Sequence, residues 1–148
     1  MIPRLRPDLS DHGFAVTHHH RTQRLHADGL GRRTMQLWFT APFCVMMRLA
    51  YLDDDAVITA AFFVQPVDEE HTTLFAVNWR NDILDGRCTP AETIDLQQRV
   101  AAEDRLMLEM LPVNWVPLDL RCEVHTLADA TTIEMRRTLA RILVEPRR

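Results

Sequence analysis

Between Phe43 and Trp79 the chain reads FCVMMRLAYLDDDAVITAAFFVQPVDEEHTTLFAVNW. Three apolar runs stand out: Phe43 to Tyr51, Ala56 to Val67 and His71 to Trp79. They are parted by Asp53-Asp54-Asp55 and by Asp68-Glu69-Glu70. Apolar runs of this length between polar turns predict strands, and turns this short require antiparallel neighbours. Working outward, Arg33 to Thr40 adds a strand, separated from Phe43 by Ala41-Pro42. Gly13 to Leu25 alternates in part and adds another, with Asp28-Gly29 as a turn signal. Residues 1–12 carry two prolines and read as an extended lead-in.

After Asp82 the pattern changes. Thr89 to Leu111 reads TPAETIDLQQRVAAEDRLMLEML. Thr89 is a good N-cap, Pro90 suits the first helical position, and Glu92 completes a capping box. Val100, Ala101, Met107, Leu108 and Leu111 recur at helical spacing and predict an apolar stripe. Asp104 falls inside that stripe. A carboxylate on a buried face is costly unless it is paired, hydrogen-bonded or bound to a metal. Arg99 and Arg105 stand near it in sequence, so a structural ion pair explains it as readily as a site does. Pro112 to Pro117 ends this helix, and a last helix runs from an N-cap at Asp129 to about Val144. Strands first and helices second make an α+β chain.

The totals exclude several classes. A chain of 148 residues suits one domain with a real core. A net charge of −4 argues against a nucleic-acid surface. No stretch approaches the ~18 apolar residues of a membrane span. The N-terminus lacks the apolar core of a signal peptide. With three scattered cysteines, Cys44, Cys88 and Cys122, the chain is expected in a reducing cytoplasm. Four glycines leave no G-x-x-x-x-G-K and no G-x-G-x-x-G. Cys44, in an apolar strand, reads as a small buried hydrophobe. His18-His19-His20 offers another candidate site. In a strand, His18 and His20 share a face and His19 points away, so two imidazoles are placed for adventitious zinc or nickel. An exposed polar strand explains the triplet more simply.

Taken in order, several words resemble one family. Pro66 to Thr72 resembles a P-x-x-x-x-x-T core. Glu103, Asp104, Arg105 and Glu109 form an E-D-[RK]-x-x-x-E word. Ala128-Asp129 followed by Arg136-Arg137 and Leu139 resembles an A-D-x6-R-R-x-L ending. Together, over roughly Gly13 to Leu143, the chain resembles the C-terminal part of the catalytic domain of Rieske-type non-haem iron oxygenases. These are the aromatic ring-hydroxylating alpha subunits of the vanillate O-demethylase, phthalate dioxygenase and dicamba monooxygenase group. The resemblance implies a partial helix-grip, START-like fold, an antiparallel sheet with C-terminal helices packed across it. It implies a ferrous iron held by two histidines and one carboxylate, whose position here is Asp104. It makes Met47, Phe62, Phe75 and Asn78 candidates for lining a pocket for an apolar or aromatic molecule. The implied reaction is insertion of O2-derived oxygen into that molecule by a mono- or dioxygenase.

The departures are equally informative. The family's Rieske domain needs C-x-H and C-x-x-H pairs, and its iron needs an H-x-x-x-x-H pair. Neither occurs among the three cysteines and seven histidines. The resemblance therefore implies a chain with no [2Fe–2S] cluster, no retained Fe(II), one remaining iron-ligand position and no activity alone. A separate polypeptide carrying the Rieske domain and the histidines, together with a reductase, would be its partners. The alternatives are a non-catalytic helix-grip module that binds an apolar molecule, or an interaction subunit of a split oxygenase.

Overall fold

The computed structural model describes residues 7–112 and 115–144. Its strands are β1 (Asp8–Ser10), β2 (Gly13–Gln23), β3 (Leu30–Thr40), β4 (Cys44–Tyr51), β5 (Ala56–Pro66) and β6 (Thr72–Arg80). The helices are α1 (Pro90–Glu109) and α2 (Ala130–Val144), with short 3-10 turns at Leu120–Cys122 and Leu127–Asp129 between them. The strands form one antiparallel sheet in sequence order, β1-β2-β3-β4-β5-β6. Short connections between successive runs permit only this up-and-down pairing. The fold is α+β, as expected.

Both boundaries at the β2–β3 turn differ from the sequence reading. β3 begins at Leu30 because the β2–β3 hairpin stays paired to Gln23↔Leu30. β2 stops short of Leu25 because Arg24 and the Leu25 N–H are drawn to the carboxylate of Asp54. The lead-in contributes β1, which pairs Leu9 with Phe14. Residues 1–6 lie outside the described residues. Gly13 is required where it stands, since a Cβ there would lie 1.9 Å from the Phe39 carbonyl oxygen.

The pairing register fixes the two faces of the sheet. One row runs Phe14, Phe39, Val45, Phe62, Ala76, and the next runs Val16, Leu37, Met47, Ala60, Asn78. Both rows belong to what we call the inner face. α2 packs on β2, and Phe14, Val16 and Phe39 of this face are buried. Thr138 of α2 is 2% exposed, and the Arg141 guanidinium donates to the Asp11 carbonyl at 3.1 Å. Asp129 is not the N-cap of α2. It sits at N3 of the preceding turn, where its carboxylate accepts from the Thr126 N–H at 2.7 Å.

The largest departure concerns α1. The family resemblance placed it across the sheet, yet among the described residues it makes no extensive contact with any strand and buries none of its residues. Met107, Leu108 and Leu111 are all more than half exposed. The reason lies in the distribution of its apolar groups. Leu106, Met107 and Leu108 are consecutive and point in different directions round the helix, so no single face is wide enough to hold a sheet. What forms α1 is local. Thr89 and Glu92 close a capping box, with the Thr89 N–H donating to the Glu92 carboxylate at 2.8 Å. Asp95–Arg99 and Arg105–Glu109 pair at i,i+4.

Candidate functional site

Of the four candidate pocket residues, Met47, Phe62 and Asn78 lie together on the inner face, all half-buried. Phe75 does not join them. It pairs with Phe63 on the opposite face and is 51% exposed. The Asn78 carbonyl oxygen Oδ1 is buried without a hydrogen-bond partner among the described residues. It lies one row from Phe62 and in the row of Met47, so a mostly apolar surface carries a single unspent acceptor. Trp38 and Cys44 fall on the outer face, while Phe39 is core of the inner one.

Toward the other end the inner face turns polar. His18 and His20 share it, with ring centroids 4.9 Å apart, and His19 points away and bonds Thr34 at 3.0 Å. These are the orientations that strand alternation requires. The Arg33 Nε donates to His20 Nε2 at 2.7 Å, and Nη1 donates to the Tyr51 hydroxyl at 3.1 Å. Because Nε2 accepts, the His20 proton sits on Nδ1, which is buried and has no partner among the described residues. Burial, with the charge of Arg33 and the neighbouring His18, holds the His20 imidazole below its ordinary range. Arg33 thus occupies one of the two His20 ring nitrogens open to a zinc or nickel ion.

Asp104 is exposed, as is every residue of α1 from Gln98 to Glu109. It does not point into the fold, so it carries no buried charge that needs a partner. Among the described residues, no three of His, Cys, Asp or Glu come close enough to hold a metal ion.

Sequence reasoning missed the most tightly organised polar cluster. At one end of the sheet three connections meet: Arg24 to His26, Asp53 to Asp55, and Asn81 to Cys88. Asp82 is fully buried. Its carboxylate accepts from Arg80 at 2.9 and 2.7 Å and lies 2.8 Å from His26 Nε2. The Arg80 guanidinium, with His26 helping, holds the Asp82 carboxyl at a pKa of about 2. The main-chain oxygen of Asp82 accepts from the N–H groups of Arg87 and Cys88. Arg87 in turn donates to the carbonyls of Asp54 and Asp55, and Asn81 bonds Val57 and Asp55. Asp54 receives Arg24 and the Leu25 N–H. The acidic runs that read as polar turns were the only signal of this cluster.

A family model described as the vanillate O-demethylase oxygenase C-terminal domain matches residues 14–145. The chain belongs to this family. Comparison with curated proteins gives no match. Membership makes the chain an oxygenase C-terminal domain, as the order of its sequence words implied. No helix among the described residues is long and apolar enough to cross a membrane. The family's iron requires three donors around one point. An exposed Asp104 with no imidazole beside it does not meet that requirement, so the described residues alone do not fit an iron site.

Proposed function

We propose that this oxygenase C-terminal domain is one part of a Rieske-type catalytic unit and contributes a single iron ligand, Asp104. A separate polypeptide brings the [2Fe–2S] cluster and the two histidines, and a reductase supplies electrons. Iron held this way would supply the O2 chemistry of a mono- or dioxygenase. The substrate, an aromatic or related apolar molecule, lies along Met47 and Phe62, with Asn78 as its polar contact. The observation that carries this reading is α1 itself. A 20-residue helix with no buried residue among those described displays Asp104 beside exposed Leu106, Met107 and Leu108, with exposed Met110 and Leu111 just past its end. Such a helix is marginal in water by itself, and a surface of this kind gains from being covered.

The test is assembly. The chain is co-expressed with the polypeptide that carries the Rieske domain and an H-x-x-x-x-H helix, sought in the adjoining reading frames. Metal analysis of the complex should find mononuclear iron in addition to the cluster. Asp104→Ala should remove that iron and abolish NAD(P)H-driven O2 uptake while leaving the complex intact. Full iron occupancy in Asp104→Ala, or the absence of any complex, would refute it. A second reading, a non-catalytic module that binds an apolar molecule on the inner face, is favoured by the missing donor set. It requires an aromatic probe such as naphthalene to shift the resonances of Met47, Ala60 and Asn78 in the chain alone.

A further inference from the structure

We infer that Asp82 is the positioning residue for α1: the bracket built around it sets the direction in which that helix, and Asp104 on it, leaves the sheet. Among the described residues α1 makes no extensive contact with any strand and has no buried residue, so packing along its length does little to orient it. Its capping box and its ion pairs are internal to it and turn with it. What remains is the chain entering it.

That entry is held from both sides of Asp82. The carboxylate ties Arg80, at the end of β6, to His26 in the β2–β3 connection, 56 residues away in sequence. The carbonyl oxygen takes the N–H of Arg87 at 3.0 Å and of Cys88 at 3.2 Å, and Cys88 immediately precedes the N-cap Thr89. Arg87 anchors the same stretch to the β4–β5 turn through the carbonyls of Asp54 and Asp55. Gly86, at φ +76°, makes the turn that brings these N–H groups back to Asp82. A residue with no exposed surface therefore joins two connections of the sheet to the first residues of an otherwise unsupported helix.

The proposal rests on the reading of Asp104 as a ligand only for its purpose, since a ligand supplied to a partner's histidines must arrive in a fixed direction. Its test uses the chain alone, and no outcome of the iron experiment alters it. Residual dipolar couplings of backbone N–H groups report whether α1 and the sheet align as one body. In the unaltered chain one alignment tensor should fit both. In Asp82→Asn the couplings of α1 should shrink at least two-fold relative to those of β2–β5, while the sheet's couplings and amide shifts persist. Should Asp82→Asn fail to fold, His26→Gln removes one strut and should give a smaller reduction confined to the same helix. Separate tensors in the unaltered chain, or α1 couplings that stay in proportion in a folded variant, would overturn the assignment.

Discussion

Arg33 and His20 stand opposite each other on adjacent strands, and the Arg33 Nε donates to His20 Nε2 at 2.7 Å. A guanidinium cannot give up that proton, so the bond survives only while the imidazole is neutral. The inner face of the sheet is thus built around one protonation state of one histidine.

This has a consequence for pH. His20 in the folded chain binds its proton less readily than at its ordinary value of 6.5. Above that value neither the folded nor the unfolded chain is protonated there, and the full stability is present. As pH falls through about 6.5 the unfolded chain takes up the proton first, so stability declines until the folded pKa is reached. Carboxylates held low by arginines, such as Asp53 and Asp82 at about 2, lose their contribution only in the acid range below about 4. Urea midpoints between pH 8 and 5 should therefore fall on the acid side. His20→Gln, which keeps an acceptor for Arg33, should flatten that slope. An unchanged slope in the variant would place the titration elsewhere.

The core prediction concerns Phe39. It is 4% exposed and its ring lies 5.5 Å from that of Phe14. Phe39→Ala should cost about 3–5 kcal/mol, the usual range for truncating a buried aromatic in a packed core. Much of the remaining core is alanine, Ala50, Ala56, Ala60 and Ala61, so few large side chains are available to close the gap. Phe75→Ala, on the exposed outer face, should change stability far less. Equilibrium urea unfolding of the two variants separates them.

How much of this was legible beforehand depended on whether the determining interactions were local. The strands were readable because Ala56 to Val67 and its neighbours are long apolar runs with short polar turns between them. Register then follows from hairpin geometry. The start of α1 was readable because a capping box lies within four residues of sequence. Its placement was not. Periodicity shows that apolar groups recur, as at Val100 and Met107, but not whether this chain offers anything to pack on them. The face of Phe75 was missed because a run apolar on both sides, LFAV, gives no alternation to orient it. The Asp82 cluster was invisible because His26 and Asp82, 56 residues apart, meet only once the sheet has formed.

The cap makes a sharper prediction than most caps do. In a packed helix, tertiary contacts hide the loss of an N-cap. Here no residue of α1 is buried, so Thr89→Ala should cost the helix about 1 kcal/mol and show as fraying. Helical ellipticity at 222 nm should drop, and amide exchange should quicken from Glu92 through the first turns. The exchange of β3 and β4 should not move. Uniform acceleration across sheet and helix would show that α1 folds together with the sheet.

On the proposed reading, Asp104 should separate stability from function. Its side chain is exposed on a helix with no buried residue, so in the chain alone Asp104→Ala should leave the urea midpoint and the amide spectrum of the sheet unchanged. A buried, unsatisfied carboxylate would give the opposite result, since Asp104→Ala would then stabilise, and a buried ion pair would make it strongly destabilising. The same substitution in the complex with the histidine-bearing polypeptide should remove the mononuclear iron. A residue silent for folding and decisive for metal retention is what a ligand presented to a partner must be. Any sizeable change in the stability of the isolated chain would place Asp104 in the packing of this domain instead.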